Sequence, residues 1–554
     1  MMPVMKRNTL RRAAPAWPAL GRKWLLACVA APLLGADAAH AADLDSMKAE
    51  ALENVGSRSK LVREIMDSLF SFAEPGFQEF ETQRYLCGIL EDHGFKVGRG
   101  VAGMPSAWVA TWGSGKPVIS LGTDVDALLG MSQKPGFAGE APLVEGAPGH
   151  GEGHNSGMAA ILPAALAVKE LMEKHKLPGT LHIWPGIAEE LLGGKAHYVR
   201  AGVFKDVDVV LFAHVGSSLS TWWGDHRGKA LVSVEYRFEG ESAHAGGAPW
   251  KGRSALDAVE LMNIGWNYRR EHLRPQHRSH YVITEGGGQP NVVPHRAAVW
   301  YYFRETDYDQ VMYLWDIANR IAEGAAKMTD TRVSWRVLGS AWPRYMNRAL
   351  AGALHANIQQ VGMPRWTEED QALARAVQRI VEAGDQGLVT KTSSKLEGVE
   401  RIPDGLKHEG GSDDIGDVCW TVPTGHLSLP CNIPGVTMHH WSAAIAMATP
   451  IAHKGAEAGA KVYALTILDL LAKPEIVRES REFFDNVQGR IRAYTSFLRP
   501  DDKPPVWLNH DLMQRLRPAM RPLHFAPSKH SSYLDQLGIS YPSLTPAGNS
   551  SPAK

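Results

Sequence analysis

Residues 148 to 157 read PGHGEGHNSG, in which His150, Glu152 and His154 are separated by single glycines. Imidazole nitrogens and carboxylate oxygens are the ligands that zinc, manganese and cobalt accept, and a carboxylate can bridge two ions. Glycines at this spacing let a loop bring such ligands close to an ion. The same ligand types recur nearby: Asp124 and Asp126 follow VISLGT, Glu189 and Glu190 follow HIWPGIA, and His214 ends DVVLFA. Taken singly, a solvated acid or a hydrogen-bonded structural histidine explains each. Taken together, strand ends that offer only Asp, Glu and His point to a metal centre. Glu189 and Glu190 are adjacent, and neighbouring residues at a strand end diverge in direction. One can ligate while the other faces an attacking water as a general base for hydrolysis.

The elements that must position these residues form an α/β domain. From about 59 to 226, helices (LVREIMDSLFSFAE, MAAILPAALAVKELMEKH) alternate with short apolar strands (PVISLGTDVDA, TLHIWPGIA, DVVLFAH). That alternation predicts a central, mostly parallel sheet of the phosphorylase/hydrolase-like kind, with ligands gathering at the carboxyl ends of its strands. From 228 to 345 the pattern becomes α+β: alternating strands KALVSVEYRFEG, HYVITEGG and AAVWYYFRE, amphipathic helices, and a strand near TRVSWRVLG. The expected division is a leader over 1–42, a catalytic domain over 43–227 and 346–475, an inserted lid over 228–345, and a poorly patterned extension over 476–554.

The 554 residues are 44% hydrophobic, and 59 basic residues balance 59 acidic ones. No basic field invites nucleic acid, so partners are sought in a local site. Lys6, Arg11, Arg12, Arg22 and Lys23 precede WLLACVAAPLLGA and the small-x-small sequence Ala39-His40-Ala41, which together read as a cleaved export signal. The apolar run is too short to span a membrane. An exported, periplasmic protein is the expectation. Cys87, Cys419 and Cys431 remain after cleavage, and a Cys419 to Cys431 bridge is left open.

In chain order, GTDVDALLG, GHGEGHNSG, IAEELLGGKAHYVRAGVFKDVDVVLFAHV, FEGESAHAGGAPWKGRSALDAVELMNIGWNYRREH, GGGQPNVVP and GSDDIGDVCWTVPTGH resemble the aminoacylase/carboxypeptidase family of di-metal amidohydrolases. The likeness runs from about 55 to 475 and is greatest to the aminobenzoyl-glutamate hydrolase group. It implies two divalent ions, zinc or manganese, a lid through which subunits dimerise, and hydrolysis of a small amide. By resemblance, His154, His214, Glu190 and a late histidine are ligands and Glu189 is the base. His439 takes the late position, with His440 as its competitor. Glu152 stands where much of the subfamily has a bridging cysteine, which gives a harder ligand set. His244 resembles a histidine that reaches the oxyanion in a partner's site, and Asn291 resembles a donor to the same oxygen or to the substrate carboxylate. Arg304 could grip a carboxylate by paired hydrogen bonds. Asp124, Asp126, His150 and His453 are candidates for support around the ligands.

The expected substrates are N-acyl or aryl-amide amino acids, or peptide-like amides, with a free carboxylate. The same site would serve a dipeptidase or carboxypeptidase. A periplasmic binding protein that keeps the fold without the chemistry is the contrasting class.

Overall fold

Thirteen strands appear along the described chain: β1 (Lys96–Arg99), β2 (Trp108–Ser114), β3 (Val118–Asp124), β4 (Gly179–Gly186), β5 (Val209–Gly216), β6 (Trp222–Asp225), β7 (Ala230–Glu239), β8 (Arg278–Glu285), β9 (Arg296–Glu305), β10 (Arg332–Ala341), β11 (Tyr345–Met346), β12 (Glu397–Val399) and β13 (Thr424–Pro430). They come from a computed structural model that describes residues 33–544 apart from 227 and 407–409. Residues up to Asp45 group separately, and everything below concerns the unit that begins at Ser46. The basic residues and the first part of the apolar run of the expected leader lie outside the described residues. No helix of the described chain is long and apolar enough to cross a membrane.

The main sheet has the order β1-β2-β4-β3-β5-β13. β4, β3, β5 and β13 run parallel, while β2 pairs antiparallel with both β1 and β4. The helices Ser156–His175 and Pro450–Ala472 pack on each other and on this sheet. The first is almost wholly apolar and buried along its length, as a helix in the middle of a core must be. Its start is tight: a Cβ on Gly157 would come within 1.8 Å of Thr123 Oγ1. Glycine there lets the helix, and the loop leading into it, sit close against the end of β3.

β7 to β10 form a second, antiparallel sheet in the order β10-β7-β9-β8, covered by the helices Ala255–Arg269 and Tyr308–Thr329. Side chains of Asn263 and Tyr301, joined at 2.5 Å, tie the first of these helices to the sheet. β10 touches the larger domain where Ser340 N–H donates to Leu192 O at 2.8 Å. β6, β11 and β12 make a small third sheet.

The segment after 475 is more ordered than its pattern suggests. Phe497, Met513, Met520, Phe525 and Tyr533 are buried, at spacings that follow neither the helical nor the strand period. Tyr533 N–H donates to Asp67 Oδ2 at 2.8 Å, Phe525 N–H to Ser71 Oγ at 2.9 Å and Ser543 N–H to Gly136 O at 2.9 Å, so the segment is laid over the larger domain. Cys87, Cys419 and Cys431 are free and buried, so the Cys419 to Cys431 bridge is not formed.

Candidate metal centre

Four pieces of backbone converge at the carboxyl ends of β3, β4 and β5. β3 ends at Asp124, with Asp126 two residues on, and β5 carries His214. After β4 the 3-10 turn Glu189–Leu191 is bracketed by Ala188 and Leu192, both left-handed without being glycine (φ 54 and 53). The glycine loop supplies Glu152 and His154 on either side of Gly153, whose φ of +120 few other residues adopt. His439 is itself left-handed (φ 60), and its N–H donates to Gly151 O at 3.0 Å, which pins the late loop to the glycine loop.

The side chains interlock. His214 Nε2 lies 3.4 Å from Glu152 Oε1, and His439 Nε2 lies 2.9 Å from Glu152 Oε2 and 3.4 Å from Glu190 Oε2. His154 Nδ1 is 3.8 Å from Glu190 Oε1, and its Nε2 is 3.9 Å from Glu189 Oε2. The rings of His154 and His214 meet edge to face at 5.3 Å. Ligand atoms of Glu152, His154 and Glu190 lie within 4.8 Å of one another, as do those of Asp124, His154 and His214. His154 Nε2 is buried without a hydrogen-bond partner. Buried polar atoms are nearly always satisfied, so an unpartnered imidazole nitrogen facing carboxylates fits a divalent cation. The donors are nitrogen and oxygen only, with no thiolate.

Asp126 orients this cluster. Its Oδ1 is 3.3 Å from His154 Nδ1, and its Oδ2 accepts the Glu190 N–H at 3.1 Å. A carboxylate on the second ring nitrogen is how metal-ligating histidines are commonly held. Asp124 instead faces Lys195, a fully buried side chain whose Nζ donates to Asp124 Oδ1 at 2.5 Å and to Asp414, and lies 3.9 Å from Asp413 Oδ1. Burial disfavours the lysine charge, but Asp124, Asp414 and Asp413 outweigh it and hold Lys195 protonated.

Burial pushes the Glu189 carboxyl well up, and the neighbouring Asp413 and Asp124 push it further. Burial does the same to Glu190. Burial opposes a charge on His154, yet its bond to Asp126 and the charges of Glu190 and Asp124 raise its pKa. Glu152 is the exception among the acids. Burial would raise it, but the hydrogen bond from His439 and the charges of His154 and His214 hold it below the carboxylate range.

A cavity of about 300 Å³ opens over the cluster, lined by Glu152, Glu189, Glu190, His214, His439 and Asp413 together with Tyr302, Arg304 and Arg344. Several sequence candidates fall elsewhere. His440 caps the short helix Trp441–Ala444, its Nδ1 accepting from Ser442 N–H, so it does not compete with His439. His150 turns away: its Nε2 lies 3.0 Å from Leu69 O, and burial pulls its pKa down to about 4. His453 sits 2.6 Å from Asp67, which also receives the Tyr533 N–H, so it anchors the carboxy-terminal segment and does not support the ligands. His244 and Asn291 are exposed and neighbours on the small domain, where Ala245 N–H donates to Asn291 O, and neither lines the cavity of its own chain. Lys195, Asp413 and Arg344 join the site without a signal of their own in the sequence, where the run GSDDIGD reads only as a polar turn.

A model of peptidase family M20/M25/M40 matches residues 121–404. The chain is 35% identical over 438 residues to one of the two kinds of subunit of the p-aminobenzoyl-glutamate hydrolase of Escherichia coli, covering 76% of this chain and 91% of that protein. It is 25% identical over 464 residues to human Xaa-Arg dipeptidase, covering 82% and 95%. Among solved structures, the aminobenzoyl-glutamate utilization protein from Klebsiella pneumoniae shares the fold, with a TM-score of 0.52 and 18% identity over 76% of this chain and 97% of that one. The chain therefore belongs to peptidase family M20/M25/M40 and is a hydrolase of amide bonds.

Proposed function

We propose that the chain is an exported, two-metal amidohydrolase that cleaves N-acyl or aryl-amide amino acids bearing a free carboxylate. The observation that carries this reading is Glu152, whose two oxygens face His214 at 3.4 Å and His439 at 2.9 Å while His154 and Glu190 close the other side. Those five residues would hold two divalent ions, zinc or manganese by the hardness of the set. When bound, the ions supply polarisation of the scissile carbonyl and a lowered pKa for water.

Glu189 lines the cavity and ligates nothing in this scheme. Its carboxylate takes a proton from the attacking water as the new C–O bond forms at the carbonyl carbon. The protonated acid then gives that proton to the amide nitrogen as the C–N bond breaks, releasing the acid and the free amine. Arg304, on β9, reaches the same cavity with no carboxylate partner among the described residues, and its Nε is buried and unpaired. That supports a substrate carboxylate as its partner. The acyl amino acid named in the E. coli relative supports the same class.

His244 and Asn291 lie outside the cavity of their own chain, which supports a role at the site of a partner in a homodimer. Exposed Trp250, Tyr268, Val282 and Ile283 on the small domain suit such an interface. Export to the periplasm is proposed from the basic start, apolar run and Ala39-His40-Ala41. A hydrolysis screen of N-acyl amino acids, p-aminobenzoyl-glutamate and dipeptides with free amino termini tests the substrate class. Turnover of blocked amines that needs the carboxylate supports it; turnover of free-amine dipeptides alone overturns it.

A further inference from the structure

The turn that presents Glu189 is strained. Ala188 and Leu192 are left-handed without being glycine, a conformation that persists only where the surroundings over-determine it. Buried carboxyl groups provide that determination by accepting the N–H groups of the turn. Asp126 Oδ2 accepts from Glu190 at 3.1 Å, and Asp414 Oδ2 accepts from Gly194 at 3.3 Å and from Lys195 at 3.0 Å. Glu79 Oε1 accepts from Ala188 at 2.9 Å. Asp126 also orients His154, and Asp414 also pairs with Lys195. Glu79 touches neither the ligand cluster nor Lys195.

Glu79 is fully buried, 109 positions away in sequence from the residue it holds, and its second oxygen accepts Ser106 Oγ–H at 2.7 Å. The segment that carries it is docked under the turn. A Cβ on Gly76 would lie 2.9 Å from Cα and Cβ of Ala188, and one on Gly193 would lie 2.7 Å from Phe77 Cζ. Only close backbone approach on both sides brings the Glu79 carboxyl to the Ala188 N–H.

We infer that Glu79 is a positioning residue for Glu189: anchored by Ser106, its carboxyl holds Ala188 left-handed and so sets the direction in which the base leaves β4. Were Ala188 to relax, the peptide between 188 and 189 would rotate and carry the Glu189 side chain off its line to the cavity. This rests on Glu189 being the base.

The test uses the full chain with Glu79→Met, which fills the space without an acceptor, Glu79→Gln, which keeps one, and Ser106→Ala, a milder loss of the anchor. Turnover of p-aminobenzoyl-glutamate, metal content and a crystal structure are obtained for each. Glu79→Met should lose at least tenfold in kcat with KM within twofold and metal content unchanged, and Ala188 should leave the left-handed region. Glu79→Gln should retain kcat within about threefold, and Ser106→Ala should fall between. If Glu79→Met does not fold, Ser106→Ala and Glu79→Gln carry the comparison. Unchanged Ala188 geometry in Glu79→Met, or a Glu79→Gln as impaired as Glu79→Met, would overturn the assignment. Activity surviving in Glu189→Gln would sink the base reading instead, and wild type inert on p-aminobenzoyl-glutamate still leaves the crystal structures to decide about Glu79.

Discussion

His439 Nε2 lies 2.9 Å from Oε2 of Glu152, across 287 positions of chain, and the other oxygen of that carboxylate faces His214. One acid thus joins the late loop to the end of β5. In Glu152→Ala both imidazoles lose their common partner, and activity should fall at least a hundredfold with loss of bound metal. Glu152→Cys should retain metal, with preference moved towards zinc over manganese, because a thiolate is the softer ligand. Metal analysis after equilibration with equal zinc and manganese checks this.

Arg304 is more than half buried, and burial pulls its pKa down with no acid bound to it. A desolvated, unpaired guanidinium is a cost to the free protein that a substrate carboxylate would relieve. Arg304→Met should therefore raise KM at least tenfold for carboxylate substrates while leaving thermal stability equal or higher. Steady-state kinetics and melting curves measure both.

Lys195 is buried among Asp124, Asp413 and Asp414. Removing one partner of a buried ionic group leaves uncompensated charge, at a cost of about 3–5 kcal/mol. Lys195→Met should lose stability of this order in denaturant unfolding, with activity impaired because Asp414 also fixes the backbone after the Glu189 turn.

Burial, with Asp126 adding to it, pushes the Glu79 carboxyl up to about 8. A folded pKa above the unfolded one means the folded state binds the proton more tightly. The stability it contributes is complete below pH of about 4.5 and is lost as pH rises through about 8. Glu79→Gln cannot titrate, so relative to it the wild type should weaken between these limits, by an amount on the order of a few kcal/mol. Melting temperatures of the two proteins from about pH 5 to 9 give the comparison.

The parts of the fold legible in the sequence were those whose apolar pattern is local. VISLGTD, LHIWPG and VVLFAHVG read as strands because they are buried on both faces. β13, TGHLSLP, escaped because His426 and Ser428 interrupt its apolar run, though it completes the parallel edge. The carboxy-terminal segment escaped because its buried residues follow no period. At the site, ligand types at strand ends were readable, but their partners were not. Adjacent His439 and His440 are chemically identical, and only the left-handed backbone of His439 and the capping bond of His440 separate them. Lys195 gave no signal because the acids that hold it lie 71 and 219 positions away.

The central claim is hydrolysis that depends on bound metal and on the Glu189 carboxylate. Its most direct test is turnover and metal content measured together for wild type and Glu189→Gln on p-aminobenzoyl-glutamate and other N-acyl amino acids. Two ions per chain in both proteins, with kcat at least a thousandfold lower in Glu189→Gln, is the predicted result. Wild type that stays metal-free and inert after reconstitution with zinc or manganese, or Glu189→Gln within tenfold of wild type, would contradict it.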